Sequence, residues 1–475
     1  PTNKEFLNEQ LSGLLYSHMT ADPLSNLDVY RRVTVSAERI LSANQAPMQI
    51  DAALTACITY SQPVYLEVAE DVWRAECPAP IGTLSKQESS ITRSDVQAAV
   101  KATVDMMTKY SRPIFWAGVE IQRMGLQQDF LNLVAATNIK FITSALSKSV
   151  VSEDNPNFVG VMAPQDIKNK VKDIGCLVGL GAWTTGKDTN NQPTLPLLSG
   201  NVALAAHNAV IVGTQVYPTV HLKDFIHGIG TALATQKILS DWKLQRPLFS
   251  LARVEPPHLT YDTFFGSIDK WLTEEHVVVS DASFPLLGAA GLHIREQNGF
   301  VAQASWLSIG YSTPAAIGVK CADPSKRPVV IVGDGAFQET CQAISSHSYL
   351  KHNTVVFVLA NGTYGVEQKL VNPNPFRQTP VHYKDKILND FYSYNNLHEW
   401  SYDKLTETMG GVGKKAATLG ELLLVLKEIK ERPDVNFVVE IVIPKNDAPS
   451  SVQGSLSGPG EDETEHPQWP PALLF

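Results

Sequence analysis

Short apolar runs recur along the chain, each opening after a turn residue and giving way to an amphipathic stretch: QPVYLEVAEDV, RPIFWAGVE, IKFITSA, IGCLVGLGAW, NAVIVGT, HVVVSDAS, RPVVIVGDG, NTVVFVLANG and VNFVVEIVIP. Continuous Val, Ile and Leu without polar alternation suit strands buried on both faces, as in parallel sheets. Between them, DVQAAVKATVDMMTKY and ELLLVLKEIKER carry apolar residues at helical spacing. This alternation predicts an α/β fold of doubly wound parallel-sheet domains. Periodicity lapses in CPAPIGTLSKQESS (77–90) and LQRPLFSLARVEPPHLT (244–260), which divides the chain into segments 1–80, 90–245 and 255–445. Residues 446–475 are rich in Pro, Gly, Ser and acids and predict a mobile or surface-draped tail. The opening, PTNKEFLNEQ, reads as a polar helix with no strand before it, so the chain is expected to begin partway through its first domain.

A length of 475 residues allows two or three packed cores, and 44% hydrophobic with 18% charged residues places the chain among globular enzymes. The formal charge of -9, with no basic cluster, argues against nucleic acid or an anionic membrane as partner. Small molecules are left. No apolar run reaches the length of a membrane span. Cys57, Cys77, Cys176, Cys321 and Cys341 are widely spaced and form no Cys-x-x-Cys pair, which predicts reduced core thiols in a cytoplasmic protein. The histidines at 207, 221, 227 and 258 have no ligand spacing.

Residues 327–361 carry the candidate chemistry. RPVVIVGDG reads as a buried strand, FQETCQAISSHSYLKH as a helix with Phe337, Cys341 and Ile344 on one face, and NTVVFVLAN as the next strand. Such a βαβ unit brings Asp334 and Asn361, 27 positions apart, to the carboxyl ends of two parallel strands, where open α/β sheets bind ligands. A carboxylate, an amide oxygen and backbone carbonyls are hard oxygen donors suited to Mg²⁺, which completes its shell with phosphate oxygens and water. Gly335, Gly362 and Gly365 would let backbone N–H groups approach a diphosphate. Taken singly, each piece is a common tight turn.

Together with this spacing, the residues resemble the thiamine diphosphate signature, and the chain is most similar to the pyruvate and indolepyruvate decarboxylase group of 2-oxo acid decarboxylases. YLEVAEDVWRAECPAP, SIGYSTPAAIGVKCADPSKRPVVIVGDG, YNNLHEWSYDKL and VVEIVIPKNDAP resemble matching regions of that group in order. The resemblance implies three domains: a pyrimidine-binding domain, incomplete here, a central domain and a diphosphate-binding domain. It implies that Asp334, Asn361 and the backbone carbonyl of Thr363 hold Mg²⁺, and that Gly335, Ala336, Tyr364, Gly365 and Val366 line the diphosphate. Ile309 would prop the cofactor in its bent form, with backbone at Leu307 and Ser283 against the aminopyrimidine. Glu367 stands where the group carries an acid that favours loss of CO₂ and protonates the carbon left behind, a role that needs a pKa raised by burial. His18 corresponds to the second histidine of a catalytic pair, and Ser17 takes the place of the first.

The family's first domain also contributes a glutamate that activates the cofactor, and no stretch here matches its surroundings. Extra residues, PNPFRQTPVHYKDKIL, follow Glu367. The reading favoured is non-oxidative decarboxylation of a small 2-oxo acid to an aldehyde and CO₂, by a homodimer or homotetramer with sites at the subunit interface. A related carboligase, such as an acetolactate synthase, and a cofactor-binding homologue without turnover are the alternatives.

Overall fold

The computed structural model describes residues 24–85, 93–162, 174–185, 200–234, 258–377, 382–383, 386–387 and 389–453. The chain divides into two compact units between Thr92 and Arg93. In the first unit, β1 (Ser36–Ile40) pairs in parallel with β2 (Val64–Val68), and the helix Ala46–Tyr60 connects them. Arg39 Nε lies 2.7 Å from Glu67 Oε1 across this pair, and Tyr30 stacks on Tyr65. His18 and Ser17 lie outside the described residues.

The second unit contains two large sheets. In the first of them, β3 (Pro113–Ala117), β4 (Phe141–Ser144), β5 (Phe158–Met162), β6 (Cys176–Leu180) and β7 (Val202–Ala206) run parallel, and β8 (Ala209–Val212) and β9 (Gln215–Tyr217) extend the sheet antiparallel. All five residues of β3 and of β6 are buried, which is why those runs carry no polar alternation. The NAVIVGT run is a correction to the parallel reading. It forms the antiparallel β8 near the sheet edge, where Ile211 is exposed.

The other sheet is parallel throughout, in the order β11 (Phe300–Ala302), β10 (His276–Ser280), β12 (Arg327–Gly333), β13 (Val355–Ala360), β17 (Phe437–Val442) and β16 (Val412–Ala416). A two-residue hairpin, β14 (His382–Tyr383) and β15 (Lys386–Ile387), stands apart from it. Its core takes Phe264, Phe265, Ile331, Phe357, Phe437 and Ile441 on one face and Val330, Val332, Phe337 and Val358 on the other. The two sheets are fastened by a buried ion pair. Lys148 Nζ lies 2.6 Å from Glu153 Oε1 and donates to the Leu292 carbonyl at 2.7 Å, while Glu153 Oε2 accepts from Ile294 N at 2.9 Å.

Three further expectations are corrected. The helix read after Gly333 starts at Asp334 and is two short helices, Asp334–Thr340 and Ala343–Tyr349, with Phe337 and Ile344 buried. Of the five thiols, all free, only Cys176 is buried, and burial pushes its pKa up to about 12; Cys77 and Cys321 are exposed. The tail read from 446 is ordered as far as 453. Asp447 Oδ2 accepts from Tyr261 N at 2.7 Å, and Ala448 and Val452 are buried in the core, so apolar anchoring outweighs the Pro and Ser content there. Among the described residues, no helix is long and apolar enough to cross a membrane.

Candidate active site

Three neighbouring parallel strands, β10, β12 and β13, end side by side and deliver Asp281 to Ser283, Asp334 and Asn361 respectively. Asp334 is 3% exposed. Its Oδ1 accepts from Gly335 N at 3.0 Å and its Oδ2 from Gly362 N at 2.7 Å. Burial nevertheless pushes its carboxyl up to about 6, against the pull of these N–H donors. No ion pair reaches Asp334 among the described residues. The site therefore holds a buried carboxylate that its own protein leaves poorly compensated.

Asn361 is buried one strand away, with Nδ2 donating to Tyr261 Oη at 3.1 Å and Oδ1 accepting from Thr363 N at 3.2 Å. The turn beyond it is clamped from downstream. Thr363 Oγ1 and Tyr364 N both donate to the Asn395 carbonyl at 2.9 Å, Leu397 N donates to the Gly362 carbonyl at 3.0 Å, and Asn395 Nδ2 donates to Gln368 Oε1 at 3.2 Å. Gln368, fully buried, also accepts from Tyr392 N at 2.9 Å. Gly362 has φ +70°, a conformation in which glycine avoids strain.

The N–H groups of Gly335 and Gly362 donate to the Asp334 carboxylate. A Cβ at Gly335 would strike the Tyr364 ring, and one at Gly365 would lie 2.5 Å from Phe284. Their smallness lets the loops close on each other. Ala336 is buried in the first turn of the helix Asp334–Thr340, and Val366 packs against the core in the helix Gly365–Val371.

The opposite wall depends on a residue not singled out from sequence. Asp281 is completely buried: Oδ1 accepts from Ala282 N at 3.0 Å and Gly310 N at 3.2 Å, and Oδ2 from Ser312 N at 2.9 Å and Ser312 Oγ at 2.7 Å. Burial raises its carboxyl above the ordinary value, and these donors oppose the rise. Asp281 thus pins the end of the loop that carries Leu307 and Ile309, and Gln303 Oε1 pins its start by accepting from Trp306 N and Leu307 N at 2.9 and 2.7 Å. The signal was present: an Asp directly after a buried strand, the same placement as Asp334. Ser283 (φ 74°, ψ -149°) and Leu307 (φ 61°) both have strained left-handed backbone. Such strain is concentrated at functional sites. Ile309 is 42% and Trp306 85% exposed.

Glu367 stands in the first turn of the helix Gly365–Val371 and is exposed. The burial expected of it is not supplied by the described residues of one chain, because the buried face of that helix belongs to Gln368 and Gly365. His18 is not among the residues brought to the site, since it lies outside the described residues.

Two stretches of the chain match domains of known proteins. Residues 283–441 match the C-terminal TPP binding domain of the thiamine pyrophosphate enzymes, and residues 100–222 match their central domain. A probable pyruvate decarboxylase of Schizosaccharomyces pombe is 24% identical over 434 residues, 88% of this chain and 72% of the relative. An alpha-keto-acid decarboxylase of Mycobacterium tuberculosis is 24% identical over 445 residues, 91% of this chain and 75% of the relative. The crystal structure of benzoylformate decarboxylase from Polynucleobacter necessarius is similar in fold, with a TM-score of 0.69 at 17% identity over 94% of this chain and 81% of that one.

Proposed function

Because the chain belongs to the thiamine pyrophosphate enzymes, carrying their central and C-terminal cofactor-binding domains, we propose that it decarboxylates a small 2-oxo acid to an aldehyde and CO₂ with thiamine diphosphate and Mg²⁺. The decarboxylases among its relatives support the reaction class. One observation carries the reading: the buried, poorly compensated Asp334 carboxylate beside the Asn361 amide at the ends of adjacent strands. That pair fits a hard cation. No group of three or more His, Cys, Asp or Glu side chains is arranged for a metal among the described residues. A cation at Asp334 would therefore take its other ligands from Asn361, the Thr363 carbonyl, water and a bound diphosphate, the set that Mg²⁺ accepts.

When bound, thiamine diphosphate supplies the electron sink that lets a 2-oxo acid lose its carboxylate. This chain's residues hold and orient. Asp334, Asn361 and the Thr363 carbonyl would hold the metal and with it the diphosphate, and the backbone at Ser283 and Leu307 would hold the pyrimidine. Ile309, on the loop fixed by Gln303 and Asp281, would contact the bound cofactor. Glu367 would be the residue that supplies a proton to the product. A second copy of the chain, in a homodimer or homotetramer, would cover Trp306, Ile309 and Glu367 and supply the burial that an acid needs.

The test is to incubate the protein with thiamine diphosphate, Mg²⁺ and, in turn, pyruvate, a branched-chain 2-oxo acid, phenylpyruvate and indolepyruvate, measuring CO₂ and aldehyde. Glu367→Gln is expected to bind cofactor normally and turn over roughly 10²–10⁴-fold more slowly. Cofactor binding with no CO₂ from any substrate would refute the decarboxylase reading, and acetolactate without aldehyde would favour a carboligase.

A further inference from the structure

An asparagine amide has two chemically different ends, and only its oxygen can ligate a cation. At Asn361 each end has one partner: Nδ2 donates to Tyr261 Oη at 3.1 Å, and Oδ1 accepts from Thr363 N at 3.2 Å. All three residues are buried, so water does not compete for either end. Tyr261 is itself fixed. It opens the helix Tyr261–Trp271 after the capping residue Thr260, its N–H is held by Asp447, and its ring meets Phe284 edge-on with centroids 5.4 Å apart.

We infer that Tyr261 is a positioning residue of the metal site, holding the Asn361 amide with its nitrogen turned away and its oxygen presented to the cation. The inference rests on Asp334 and Asn361 being ligands. Without the hydroxyl, the buried Asn361 NH₂ loses its acceptor. Among the described residues, no other contact of Nδ2 then fixes which end of the amide faces the cation. Because Asp447 holds the Tyr261 backbone, the segment that follows β17 is tied through Tyr261 to a ligand on β13.

The measurement is Mn²⁺ affinity in the presence of thiamine diphosphate, read by paramagnetic resonance of the free ion, for wild type, Tyr261→Phe, Asn361→Ala, the double variant and Asp334→Ala. Phenylalanine keeps the ring and removes only the hydroxyl. Tyr261→Phe is expected to weaken Mn²⁺ binding about five- to tenfold, the effect of leaving one buried donor unmet. In the Asn361→Ala background the same change is expected to cost nothing further, because a residue that acts only through Asn361 has no effect once Asn361 is gone. Unchanged affinity in Tyr261→Phe, or an equal loss in both backgrounds, overturns the inference. Wild-type affinity in Asp334→Ala overturns the ligand reading beneath it, whereas loss in Asp334→Ala with no change in Tyr261→Phe sinks only the role of Tyr261.

Discussion

Asp334→Asn removes a titrating group whose folded-state value is raised from 3.8 to about 6 by burial. A raised carboxyl favours the folded state while protonated, so its contribution is fully present below about pH 3.8 and is lost as pH rises through about 6. Between pH 4 and pH 7 the metal-free wild type should lose about 2 kcal/mol through this one group, and the asparagine variant should lose none of it. The Asp447 carboxyl, also raised to about 6 by burial, titrates in both proteins and cancels. The assay is denaturant unfolding of both proteins in chelator at pH 4, 5, 6 and 7. The stability of the variant relative to wild type should climb by about 2 kcal/mol across that range, whatever its value at pH 4. Adding Mg²⁺ and thiamine diphosphate at pH 7 should move the difference back towards wild type. At a hundredfold excess over Kd they stabilise wild type by about 2.7 kcal/mol and leave the variant unmoved. A flat difference between pH 4 and pH 7 would refute the argument that Asp334 is buried and poorly compensated.

Three other substitutions probe the scaffold. Ser283→Gly should stabilise the protein by about 1 kcal/mol in the same assay, because glycine adopts φ 74°, ψ -149° without strain; a loss of stability would mean that the serine side chain is needed there. Gly365→Ala should cost about 1–3 kcal/mol, since its Cβ would lie 2.5 Å from a Phe284 ring already held between Tyr261 and Phe376. Glu153→Ala leaves Lys148 in its buried setting without the carboxylate and should cost about 3–5 kcal/mol, measured as a fall in denaturation midpoint. A cost below about 1 kcal/mol would show that the pair is solvated.

The sequence was most legible where burial is complete. Runs such as RPVVIV and TVVFVL have one physical explanation, a strand covered on both faces, and they place Asp334 and Asn361 directly. Other strands carry a weaker pattern: VGKKA of the edge strand β16 contains two lysines, and VALAA of β7, inside its sheet, is poor in β-branched residues. They were not read. Partnerships across long separations were equally hidden. Nothing near Tyr261 announces Asn361, which stands 100 positions away, and Gln368 reads as an ordinary helical glutamine until Tyr392 and Asn395 are brought against it. Glu367 shows the opposite limit. Its sequence position suggested a buried acid, but among the described residues it is exposed in the first turn of its helix.

The clamp on the turn after Asn361 also closes a neck. Gln368 meets Tyr392 and Asn395, Asn372 Nδ2 donates to the Asp390 carbonyl at 3.3 Å, and Phe376 between them is buried against Phe284, so the chain on both sides of this stretch is tied to the domain. Doubling the length of such a loop costs only about 0.6 kcal/mol of closure entropy. Chain length beyond Phe376 can therefore change at small cost while Asp334 and Asn361 stay in register. For protein engineering, the strand ends and their clamp form a fixed chassis, and the chain beyond Phe376 is the place where length can be varied without moving it.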